Sequence, residues 1–113
     1  MKDAKMPKPT IPEEIKKQAD EIVSAFNQKV IKNPGRFYAT HYKGRFLYLD
    51  RLDYGHRGAR CRLTYTGSMD KWEFAIFKYS DERYDSEDWF FPGSEHVDGT
   101  IEGALKAGLA AYP

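Results

Sequence analysis

"RGARCRLTYTGSMDKWEFAIFKYS", residues 57–80, is the stretch whose reading decides the fold. Residues 59–66 (ARCRLTYT) and 71–80 (KWEFAIFKYS) alternate apolar and polar side chains, the period of a strand with one buried face. The residues between them, GSMD (67–70), have turn chemistry, and so short a link makes its neighbours antiparallel. Period two assigns Cys61, Leu63, Tyr65, Trp72, Phe74 and Ile76 to one face. It assigns Arg60, Arg62, Thr64, Ala75, Phe77 and Tyr79 to the other, with the proviso that a bulge would swap one strand's set.

The same alternation extends upstream. Residues 36–42 (RFYATHY) and 45–54 (RFLYLDRLDY) read as two further strands, joined by Lys43-Gly44 and followed by the turn GHRG (55–58). Leu47 and Leu49 join the apolar face, and Phe46 and Tyr48 the mixed one. Before the strands, "TIPEE" (10–14) has the form of a helix start. Thr10 is the expected cap, Glu13 its capping-box partner, and Pro12 falls in the first turn. Ile15, Ala19, Ile22, Val23, Phe26 and Val30 then recur at helical spacing until KNPG (32–35) stops the pattern. After the strands comes an acidic loop, 80–97, containing Trp89-Phe90-Phe91. A last helix follows, with Asp98 as its expected cap. Its small residues, Gly103, Ala104, Ala107, Gly108 and Ala111, suit close approach of a backbone.

The order α-β-β-β-β-α predicts an α+β fold: a four-stranded antiparallel meander flanked by an N-terminal and a C-terminal helix. Residues 1–9 read as a disordered leader and 10–113 as a single domain. At 113 residues, with 15% aromatic content, the chain needs no metal or disulfide to hold a core. It has a single cysteine, no apolar signal segment and no membrane-length apolar run. These features suit a cytoplasmic protein in a reducing compartment and give no reason to expect a membrane partner.

The topology resembles the double-stranded-RNA-binding domain. That family's last helix opens with a lysine-rich phosphate-binding segment, whereas here it opens "HVDGTIEG". The resemblance stops at element order and implies no membership. Net charge is only +1, but residues 29–71 hold ten Lys or Arg against three Asp or Glu, and residues 72–113 hold three against nine. The basic and acidic segments can therefore complement each other, within one molecule or between two.

Chemistry-bearing residues are few. Cys61 would need a base and an orienting group to act as a nucleophile, and on an alternating strand it reads as a core filler. His96 lies near Glu87, Asp88, Glu95 and Asp98 in sequence, but no metal-ligand spacing is met, so no metal or cofactor is expected. Asp81, Glu82, Asp85, Glu87 and Asp88 are what a paired-carboxylate hydrolase would draw on, yet they read as a solvated acidic segment.

What remains is the mixed face. Tyr48, Arg60, Arg62, Phe77 and Tyr79 combine rings and guanidinium groups, and Trp89, Phe90 and Phe91 add a candidate loop anchor. The function this predicts is a small non-enzymatic interaction or accessory domain, acting on a protein partner or as a homodimer. The alternatives are a single-stranded nucleic-acid-binding domain, and an enzyme with an unrecognised site at His41, Cys61 or His96.

Overall fold

The structure, a computed structural model, describes residues 9–88 and 90–113. Helix α1 (Glu13–Phe26) runs into a π-helical turn at Asn27–Ile31. The chain then enters a meander of β1 (Arg36–Lys43), β2 (Phe46–Asp53), β3 (His56–Thr64), β4 (Glu73–Lys78) and β5 (Arg83–Asp85). A single 3₁₀ turn, Ser94–His96, leads to helix α2 (Ile101–Ala111). All neighbouring strands are antiparallel and lie in sequence order. No helix among the described residues is long and apolar enough to cross a membrane.

The α+β class and the two flanking helices are as expected from the sequence. The strand count is five rather than four. β5 lies inside the segment read as an acidic loop; three residues, two of them charged, are too short to show alternation, and the strand exists because it pairs with Phe77 and its neighbours on β4. The leader expected at residues 1–9 lies, apart from Pro9, outside the described residues.

Both helices pack on the same side of the sheet. Leu47, Leu49, Cys61, Leu63, Tyr65, Trp72, Phe74 and Ile76 form the buried sheet face. They share one core with Ala19, Val23 and Phe26 of α1 and Ile101, Ala104, Leu105 and Ala107 of α2. Each fully buried leucine or isoleucine contributes roughly 1.5–3 kcal/mol, so this layer is the main source of stability.

The helix ends differ from expectation in instructive ways. Pro12, not Thr10, occupies the N-cap position of α1 and makes no side-chain capping bond; its carbonyl accepts from the Lys16 N–H at 3.0 Å. Ile11 takes the place of a cap in fixing this end. It is buried, and its N–H donates to the Gly44 carbonyl at 3.1 Å. Val30, expected on the buried stripe, is 50% exposed. The extra residue of the π-turn shifts the helical phase there, and the turn closes with Lys32 N–H on Asn27 O at 2.9 Å.

At α2 the cap is Thr100, whose hydroxyl accepts from Gly103 N–H at 3.0 Å. Asp98 stands two residues earlier and accepts from the N–H and hydroxyl of Thr100 instead. The small residues have a steric cause. Tyr38 donates its hydroxyl to Leu105 O at 2.9 Å, and a Cβ on Gly108 would come within 2.6 Å of the Tyr38 hydroxyl oxygen.

Candidate functional site

With both helices on one side, the other face of the sheet has no element of the described chain packed over it. The register aligns His41, Tyr48, Arg62 and Ala75 in one row across β1 to β4. Phe46 stands in the row beside them, and Phe77 and Tyr84 pair across β4 and β5. The rings touch in sequence. His41 stacks on Tyr48 at 4.5 Å and 5°, Tyr48 meets Tyr84 at 5.6 Å, and Tyr84 meets Phe77 edge-on at 5.0 Å. The Arg62 guanidinium lies between two of them, 4.7 Å from the Phe46 ring centre and 5.3 Å from that of Tyr84. Arg45 covers Phe46 at 5.0 Å.

Guanidinium groups over ring faces are attracted by the ring quadrupole, so Arg62 is held by cation–π contact. The Arg62 Nε is buried with no hydrogen-bond partner among the described residues. Burial pushes the Tyr84 phenol up, so it stays neutral at any physiological pH. The carboxylate at the middle of this face is Asp50, which accepts from Arg57 Nε at 2.9 Å and lies 3.4 Å from His41 Nε2. Lys43, Arg45, Arg57 and Arg62 on or beside the strands outnumber Asp50 and Glu73 there, so the face is basic as well as aromatic.

Of the five face residues expected from the sequence, Tyr48, Arg62 and Phe77 are brought together, Tyr79 meets Phe77 edge-on at 4.8 Å at the rim, and Arg60 is turned away. A β-bulge shifts the register between Leu49 and Asp50, so that Leu49 pairs with Cys61 and Asp50 with Ala59. Arg60 is the extra residue, and the bulge turns it to the helix side. There its Nη2 lies 3.2 Å from Asp53 and its guanidinium covers the Tyr112 ring at 4.9 Å. Tyr79 stands just past the end of β4, at the rim between Phe77 and Tyr112, and accepts from Arg60 Nη1 at 2.8 Å. Tyr84 and His41 are face residues that the sequence reading missed. His41 lies in a recognised strand but carries no apolar signal of its own, and Tyr84 lies in β5, which is too short to show a period.

Arg60 belongs instead to a structural cluster. Asp53 accepts from Arg36 Nε at 2.8 Å, Arg51 Nε at 3.4 Å and Arg60 Nη2 at 3.2 Å. The Arg36 hydrogen bond, ahead of the other charges, holds the Asp53 carboxyl below the usual carboxylate range. Arg51, only 1% exposed, donates Nη2 to the carbonyl of Tyr112 just past α2. A cation at a helix C-terminus meets the negative end of its dipole, so the cluster ties α2 to the sheet.

The loop anchor also divides. Phe91 packs inward and stacks on Phe74 at 5.7 Å and 14°, whereas Phe90 is 97% exposed. Trp89 lies outside the described residues.

The candidate catalytic groups are not assembled. Cys61 is fully buried on the helix side beneath Ala104, and burial pushes its thiol well up, whereas His41 is on the opposite face of the sheet. His96 has Glu95 at 3.7 Å. No group of three or more His, Cys, Asp or Glu that could hold a metal occurs among the described residues. Asp85 and Asp88 both clasp Lys78, at 3.4 and 2.6 Å, and are held below the usual carboxylate range by Glu87 N–H and Lys78 respectively. They are paired groups rather than a free acid and base. The chain matches no protein-family model, no curated protein and no solved structure.

Proposed function

We propose that this protein is a non-enzymatic interaction domain that docks a protein partner through the outer face of its sheet. The observation that carries the reading is the placement of both helices on one side, which leaves Phe46, Tyr48, Arg62, Phe77 and Tyr84 contiguous on the other. A patch of rings and arginine is the composition that interface centres favour, because such side chains bury much area with little rotamer entropy.

A protein partner suits the geometry better than single-stranded nucleic acid. Base stacking needs free ring faces, and here His41 already covers Tyr48 while Arg62 covers Phe46 and Tyr84. The β1 edge is also unsuited to adding a partner strand. Asn27 donates its side-chain amide to Tyr38 O at 3.0 Å and accepts from Tyr38 N–H at 2.8 Å, occupying the groups a new strand would use. The face itself is the better surface.

Position-specific photocrosslinking in the producing cell tests this reading. A photoreactive phenylalanine at Phe77 or Tyr48 should give discrete protein adducts, and the same probe at Val30 or Lys106, on the helix layer, should give none. Adducts only from the helix layer would overturn the reading, and adducts to nucleic acid from Phe77 would replace it with the alternative.

A further inference from the structure

The same chain carries a surface that complements this face. Two carboxylates shape the loop after β5: Asp85 accepts from Glu87 N–H and Asp88 from Phe90 N–H, both at 2.8 Å. Asp88 is further pinned by Lys78, and Phe91 is anchored on Phe74. Phe90 is thereby presented outward at 97% exposure, the most exposed large apolar side chain described. The segment that carries it, residues 80–97, holds six Asp or Glu against one Arg. An apolar ring exposed to water on an acidic segment suits a partner that offers rings and cations.

We propose that the partner is a second copy of this chain, with the Phe90 loop of each molecule seated on the basic aromatic face of the other. The proposal rests on the reading of the face given above and commits it to one occupant. Charge complementarity argues for it: the loop is acidic, and the face is basic through Lys43, Arg45, Arg57 and Arg62. Two like faces laid directly together would instead repel, so a face-to-face pair is disfavoured. The loop cannot serve its own face, because Phe91 fixes it to Phe74 on the helix side of the sheet. Exchange between two molecules is mutual and closes with two-fold symmetry, which leaves no open end for further growth.

Size-exclusion chromatography with light scattering, over a range of protein and salt concentrations, reads the assembly. The wild-type chain should shift from monomer to dimer with concentration, and less readily as salt rises. Phe90→Ser should raise the dissociation constant at least tenfold, with an unchanged thermal midpoint at concentrations where both proteins are monomeric. Charge exchange is the sharper arm. Lys43→Glu with Arg45→Glu reverses the face, and Glu82→Lys with Glu87→Lys reverses the loop. Each variant alone should be monomeric, and an equimolar mixture should dimerise, because both contacts are then complementary again.

A monomer at every concentration, a dimer indifferent to Phe90→Ser, or a mixture that stays monomeric would overturn the proposal. Protein adducts from Phe77 at a mass other than that of a dimer would also overturn it while leaving the interaction reading in place. A labelled single-stranded oligonucleotide that binds the monomer and is released by Arg45→Glu would replace it with nucleic-acid binding.

Discussion

Asp53 faces three guanidinium groups, those of Arg36, Arg51 and Arg60, and one of these is almost wholly out of water. Removing the carboxylate leaves a buried cation without its counter-charge. Asp53→Ala is therefore expected to lower unfolding free energy by about 3 kcal/mol in urea titration, whereas Glu13→Ala, which removes the exposed partner of Lys16, should cost under about 1 kcal/mol. Cys61 gives a second expectation at this scale: the native thiol should stay silent to a thiol reagent and react fully only on unfolding. The sequence made Cys61 legible, since alternation alone put it in the core. It misplaced Arg60, because one extra residue in β3 reverses the parity that relates it to Arg62, and nothing in "RGARCR" distinguishes a bulged strand from a straight one.

At the scale of elements, close approaches decide which substitutions the fold tolerates. Gly93 has φ +97°, and a Cβ there would lie 2.7 Å from the Ala107 carbonyl, so it needs glycine on two counts. Gly93→Ala should destabilise by about 2 kcal/mol. Gly44, with φ +60° and open space around it, should accept asparagine at a cost below about 1 kcal/mol. Denaturant midpoints of the two variants check the contrast. Asn27→Ala removes both bonds to the Tyr38 backbone and uncovers the β1 edge, so it should lower stability and promote aggregation in light scattering. The long elements were legible because α1 and β1–β4 repeat their periods over many residues. β5 and the π-turn were not: each is set by what it packs against, and each is too brief to carry a pattern of its own.

For the molecule as a whole, the titrating groups define a pH window. The carboxyls of Asp53 and Asp98 are held low, by Arg36 and by Thr100 foremost. A depressed carboxyl stabilises the fold above its unfolded value, near 4, and that contribution is lost as pH falls through the folded value. Cys61 and Tyr38 are pushed up by burial. Their contribution is complete below the unfolded values, about 8.5 and 10, and is lost as pH rises beyond them. Thermal midpoints should thus be level between about pH 5 and 8 and fall on both sides, and Cys61→Ala should remove the part of the alkaline fall that begins near 8.5.

The distribution of charge along the sequence already separated a basic from an acidic half. Folding turns that into a basic sheet face and an acidic loop that presents Phe90. Sequence could not show which side the helices would take, since two amphipathic stripes fit one side or both equally well. The functional reading depends on that placement. Side-chain NMR of a dilute sample with a soluble gadolinium chelate measures it directly: the rings of Phe46, Tyr48, Phe77 and Tyr84 are expected to broaden strongly, while Leu47, Leu63 and Leu105 stay sharp. Rings as protected as those leucines would mean the outer face is covered within the monomer, contradicting the account.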